Sequence, residues 1–320
     1  MLRRRYLCGA LVGVLTTAAA LSAGGARSAS VGHASTKLSK PSMMRTFKGK
    51  PGGPARPRRT NNLSYNGGVG GIGVETAPSV YLVLWGSQWG IDPSGESAIV
   101  QNFLNHAGAS SWLNSVTQYC QGIANGSSTC GSTGHAGNPS GILTGVWQDN
   151  SSAAPSQPTQ TQLGNEAIKA AGHFGNTNSS SNASVQYVIA TAHNNNASGF
   201  GTQYCAWHSS ASSSYGNVAY TNLPYITDAG ASCGANFNNL GPNAGITIVE
   251  GHEMAETITD QFPNGGWLDR NGEENGDKCA WIQSGPGASA SVSMNGANFP
   301  VQSLWSNAFN NNSGGCVLSY

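Results

Sequence analysis

Apolar residues in this chain gather into short runs, separated by stretches of glycine, serine and asparagine. Residues 78–85 (PSVYLVLW) form a β-rich apolar run stopped by Gly86, which predicts a buried strand. Residues 96–119 carry Ile99, Val100, Phe103, Leu104, Trp112, Leu113 and Val116, predicting one or two helices broken near Gly108. A second strand is expected at 141–147, a helix at 160–173 and a third, near-continuously apolar strand at 184–192. Residues 206–208 and 216–220 predict shorter strands, at an edge or in a hairpin. An apolar run from Ile246 passes into GHEMAETIT, predicting a helix over 244–259. Beyond it, 288–292 and 299–305 are short-strand and turn material. Strand, helix, strand, helix, strand predicts an α/β (α+β) domain with a central mixed sheet. No repeat of fixed period appears.

The ends of the chain differ in kind. Arg3, Arg4 and Arg5 precede an apolar stretch from Tyr6 to about Leu21 and then small residues, so residues 1–30 are expected to be a secretory signal peptide. No later segment approaches the ~20 apolar residues of a membrane span. Twelve of the fifteen lysines and arginines lie in residues 1–60, which hold no acid at all. Residues 61–320 hold only Lys169, Arg270 and Lys278 against all fourteen acids, the reverse of what a nucleic-acid binder needs. Residues 31–65 are expected to be a basic disordered pro-segment or linker, with cleavage near Arg58-Arg59. Residues 66–320 are expected to be a single secreted domain.

Cys8 leaves with the signal peptide, and six cysteines remain. An even count in an exported chain predicts disulfides, with sequential neighbours favoured: Cys120 with Cys130, Cys205 with Cys233, and Cys279 with Cys316. The last pair would tie the C-terminal region to the end of the acidic stretch. There is no Cys-x-x-Cys pair to suggest cysteine ligation of zinc. Nor is there a Gly-x-Ser-x-Gly elbow or a phosphate loop.

Residues 245–277 hold eight of the fourteen carboxylates. On a helix, His252 and Glu256 stand one above the other on one face. This is the arrangement of a His-Glu-x-x-His zinc helix with a glutamate in place of the second histidine. Glu253 beside them is the expected general base, acting on water at the metal. A third ligand is needed. Asp277 is favoured, then Glu274, since both follow the Gly265-Gly266 turn on a loop pinned by Cys279. Asp260 lies about 12 Å along the axis from His252, and His208 is the outsider, read as a hydrogen-bonded structural residue. Residues 269–277 also alternate oxygen side chains around glycine and could wrap Ca2+. His106, His135, His173 and His193 are expected to be structural or surface residues.

The chain resembles the phosphate-induced protein 1/EXORDIUM family of secreted proteins and bacterial relatives with a zincin-like look. The resemblance rests on VYLVLWG at 80–86 followed by Trp89, on the helix around Trp112, and on Cys205-Ala-Trp-His208. Its most specific part is Gly241-Pro-Asn243 leading to His252-Glu253-Met-Ala-Glu256, Trp267 and Gly276-Asp277-Lys-Cys279. The chain departs from the plant pattern at Asp260, where those members carry Asn-Pro. The resemblance implies secretion and a zincin-like fold more than an activity. The expected function is a secreted zinc peptidase acting as a monomer on protein or peptide substrates. The alternative is a non-catalytic cell-wall or signalling protein with a structural metal or calcium site.

Overall fold

In chain order the first strands are β1 (Ser42–Arg45), β2 (Ser64–Tyr65), β3 (Ser79–Trp85), β4 (Leu143–Asp149), β5 (Val185–Thr191), β6 (Tyr204–Ser213) and β7 (Gly216–Leu223). They are followed by β8 (Trp267–Leu268), β9 (Ala290–Met294), β10 (Ala297–Val301), β11 (Leu304–Ser306) and β12 (Gly315–Val317). The main helices are α1 (Glu96–Ala107), α2 (Gln160–His173) and α3 (Ala244–Thr259). The computed structural model describes residues 36–47 and 61–320, within one unit spanning Ser35–Tyr320. The expected signal peptide and the Arg58-Arg59 site lie outside the described residues. Among the described residues, no helix is long and apolar enough to cross a membrane.

The central sheet has the order β1-β6-β7-β5-β3-β4. The contacts β7–β5, β5–β3 and β3–β4 are parallel, while β1–β6 and β6–β7 are antiparallel. The chain runs from β3 through α1 to β4, then through α2 back past β3 to β5. Crossovers of one hand that reverse direction put their helices on opposite faces. The core is split accordingly. Val80, Leu82 and Leu84 face the cluster containing α1 and α3, whereas Val83 and Trp85 face α2. Side chains alternate along β3 as the pleat requires.

Two expectations are corrected here. The strands at 206–208 and 216–220 are longer than expected, at ten and eight residues; of the two arrangements expected for them, the hairpin is the one that forms, inside the sheet. Their small residues allow cover on both faces: Ala206 packs on one side and Ala211 on the other. Disorder over 31–65 does not hold for the described part of that segment. β1 pairs with β6 through Ser42↔His208 and Met44↔Ala206, with Met44 and Thr46 buried. β2 pairs with β8. A four-residue strand with a single buried side chain, Met44, leaves little trace amid basic and proline-rich neighbours.

All three disulfides form in sequential order: Cys120–Cys130, Cys205–Cys233 and Cys279–Cys316. The chain is thus a mixed α/β protein with a central mixed sheet and three disulfides.

α3 positions everything that follows. Its sequence holds two glycines and several β-branched residues, poor helix formers in isolation. All sixteen of its residues are nevertheless buried, so tertiary packing holds the helix. Gly251 makes this possible on one side, because a Cβ there would stand 3.0 Å from Trp112 and 3.1 Å from Phe103.

Candidate metal centre

His252 and Glu256 share a face of α3 as expected, with His252 Nε2 3.0 Å from Glu256 Oε1. Asp277 joins them, its Oδ1 3.8 Å from the same Nε2. The loop carrying Asp277 is drawn onto the helix by several bonds. Asn275 Nδ2 donates to the Ala255 carbonyl at 3.2 Å, and the Asp277 amide donates to Glu256 Oε1 at 2.8 Å. Gly276 lies so close that a Cβ there would stand 2.8 Å from His252 Nδ1 and 2.9 Å from Glu256 Oε1. No other residue fits against the pair.

Gln302 decides the state of His252. The amide nitrogen of Gln302 donates to the carbonyls of Gly276 (2.8 Å) and Ser303 (3.2 Å). Its carbonyl oxygen therefore faces His252 Nδ1 at 3.2 Å and selects the tautomer with the proton on Nδ1. Burial outweighs the neighbouring carboxylates and holds the His252 pKa below its ordinary value, so the ring is neutral. Its Nε2 lone pair then faces the oxygens of Glu256 and Asp277 without a hydrogen-bond partner. A neutral lone pair set against carboxyl oxygens is satisfied either by a carboxyl proton, which the raised Glu256 pKa favours, or by a cation.

The spacing fits one. Zinc bonds of ~2.0–2.1 Å in a tetrahedron put neighbouring ligand atoms roughly 3.3 Å apart. The distances of 3.0 and 3.8 Å bracket that value. One imidazole and two carboxylates then leave a fourth position open.

His208, the least favoured of the candidate ligands and read as more often a structural residue, is part of the cluster. It projects from β6 on the α3 side, two residues from Ala206 on the same face. Its Nε2 is 3.2 Å from both oxygens of Glu274 and 3.7 Å from Glu256 Oε2. Burial lowers the His208 pKa, but Glu274, Glu256 and Asp260 overcome this and raise it to about 9. Ser42 of β1 donates its hydroxyl to Glu274 Oε2. Glu256 Oε2 and both oxygens of Glu253 are buried and have no hydrogen-bond partner. Burial, then the surrounding carboxylates, pushes Glu253 well above the usual range. In Glu256 burial and Asp277 do the same against the opposing pull of His208.

Asp260 does not belong to the set. Its oxygens accept from the amides of Asn264, Gly265 and Gly266 at 2.7, 2.9 and 2.5 Å, closing the turn after α3. The calcium loop over 269–277 does not form as expected, because its acids are divided. Asp269 accepts from Lys278 Nζ (3.0 Å), Asn61 and two backbone amides, while Glu274 and Asp277 turn toward α3. Of the remaining histidines, His135 bonds two carbonyls, His173 stacks on Trp147, and His193 meets Asp228 at 2.5 Å.

A cleft of about 520 Å³ opens beside this cluster, lined among others by Lys40, Ser42, Arg45, Glu274, Asp277 and Trp281. It reaches Glu274 and Asp277, while His252, Glu253 and Glu256 lie behind them, fully buried. Sequence reasoning found α3 and its loop, ranked His208 too low, and missed Ser42 and Gln302. Only for His208 was there a signal, a histidine at an inward position of a strand.

Comparison of the chain with protein-family models, with curated proteins and with solved structures gives no match.

Proposed function

We propose that the chain is a secreted, metal-dependent peptidase with a zincin-like site, in which His252, Glu256 and Asp277 hold zinc. The observation that carries this reading is the locked His252 tautomer, whose buried, unpartnered Nε2 faces two carboxylate oxygens. A divalent zinc ion supplies Lewis acidity, polarising a carbonyl and making water easier to deprotonate. The chain's own groups do the rest. Gln302 orients His252, and the Gly276–Asp277 backbone holds Glu256. Glu253 accepts the proton from the attacking water and returns it to the leaving amine.

Protein is the favoured substrate because the cleft is flanked by β1, a strand at the edge of the sheet. Three disulfides and the N-terminal pattern of basic, apolar and small residues support secretion. Casein hydrolysis and zinc content after exhaustive dialysis test the reading together. Retained zinc, with activity lost in Glu253→Ala while the fold persists, is the expected result. A folded, metal-free and inactive wild type contradicts it.

One observation favours a second reading. Glu253 is fully buried and does not line the cleft, as suits a non-catalytic extracellular protein with a structural metal. Retained zinc without hydrolysis, both in the full chain and after removal of β1, would favour that reading.

A further inference from the structure

The same cluster holds more ligand atoms than one zinc ion can use. They fall into two sets, each with atoms within 4.8 Å of one another: His252, Glu256 and Asp277, and separately His208, Glu253 and Glu256. Glu256 alone belongs to both. Its Oε1 faces His252, while its Oε2 faces His208. The two oxygens of one carboxylate thus point to two different histidines.

We propose that the centre binds two divalent metal ions bridged by Glu256, the second held by His208, Glu256 Oε2 and Glu274 with Glu253 alongside. This rests on the metal-site reading above and deepens it. Three independent observations support it. Glu256 Oε2 and both oxygens of Glu253 are wholly buried and lack any hydrogen-bond partner, so they face the second position unsatisfied. The Glu274 carboxylate stands against Glu256, acid beside acid, within reach of His208. Finally, Glu253, Glu256, Glu274 and Asp277 are four carboxyl groups with which no lysine or arginine pairs among the described residues.

Two-metal hydrolytic sites hold their ions roughly 3.5–4 Å apart, a spacing that a bridging carboxylate would suit. Glu253 has two free oxygens, so it can ligate through one and keep the other for the proton. Aspartate and glutamate with one histidine per metal suit zinc or manganese rather than a thiolate-seeking ion.

The test is metal counting on the full-length secreted protein, stripped with chelator, reloaded with zinc and dialysed. About two zinc ions per chain are expected for wild type and about one for His208→Gln. Because His208 is buried, Glu274→Gln serves as a second variant with the same expectation, and circular dichroism checks both folds. Manganese loading adds a bridge-specific readout, since two ions sharing a carboxylate give a coupled, broadened electron paramagnetic resonance spectrum. One zinc per chain, unchanged in His208→Gln, overturns the two-metal inference and leaves the single-metal reading intact. Two ions with isolated manganese spectra overturn the bridge. No bound metal at all defeats both readings.

Discussion

α2 and α3 lie on opposite faces of one sheet and handle buried acids in opposite ways. α2 begins with a capping box in which Thr159 and Gln162 satisfy each other's backbone amides. It buries a stripe of Leu163, Ala167, Ala170 and Ala171 and leaves the other side to solvent. Its one buried acid, Glu166, stands beside Asp149, and Lys169 reaches both. Lys169 is a cation within reach of both acids, although Glu166 Oε1 has no hydrogen-bond partner and burial raises the Glu166 pKa to about 8. α3 is buried all round and carries Glu250, Glu253 and Glu256, yet no lysine or arginine approaches them among the described residues. The difference is that a lysine stands beside the buried acid of α2, whereas the acids of α3 have no such cation, which is what the proposed metal site would supply.

Chelation should break the symmetry most sharply. Removing metal from the α3 cluster is expected to abolish casein hydrolysis and lower Tm on the order of 10 °C, measured by calorimetry with and without chelator. A protein whose stability ignores chelator would place α3 with α2. Gly276→Ala presses a methyl group onto His252 and Glu256. It should weaken zinc binding by about 10–100-fold in competition with a chromophoric chelator. On the α2 side, Lys169→Met leaves Asp149, 1% exposed at the side chain, without its cation. A loss of about 1–3 kcal/mol is expected in urea unfolding, with zinc content unchanged.

A smaller effect follows from Glu75, buried with one donor, Gln186 Nε2 at 2.9 Å. Burial raises its pKa from 4.5 to about 8 despite that bond. The folded chain therefore keeps a proton that the unfolded chain releases. The stabilisation is complete below pH 4.5 and disappears as pH rises through about 8. Glu75→Gln should flatten the fall in stability between pH 6 and 8 by about 1 kcal/mol per unit. Equal slopes in both proteins would remove Glu75 from the explanation.

Much of this was legible along the chain, for reasons that are local. The apolar runs at β3, β5 and the start of α3 are unbroken, α2 has a one-sided apolar stripe, and nearest-neighbour cysteines pair. Within α3 the His252–Glu256 pair follows from helix geometry alone. What could not be read depends on strand order. His208 reaches Glu256 only because β6 lies under α3, and Gln302 reaches His252 from just beyond β10. β1 was hidden for a different reason. Four residues of which only Met44 is buried carry too weak a pattern against the lysines, arginines and prolines around them. Its pairing beside His208 also gives the N-terminal segment a physical place at the mouth of the cleft, where Ser42 holds Glu274.

Anomalous diffraction at the zinc edge, from crystals of the zinc-loaded protein, tests the central claim most directly. The expected result is a peak within bonding distance of His252 Nε2, Glu256 Oε1 and Asp277 Oδ1. Density with no peak there, and with carboxyl groups hydrogen-bonded to one another across the cluster, would contradict it.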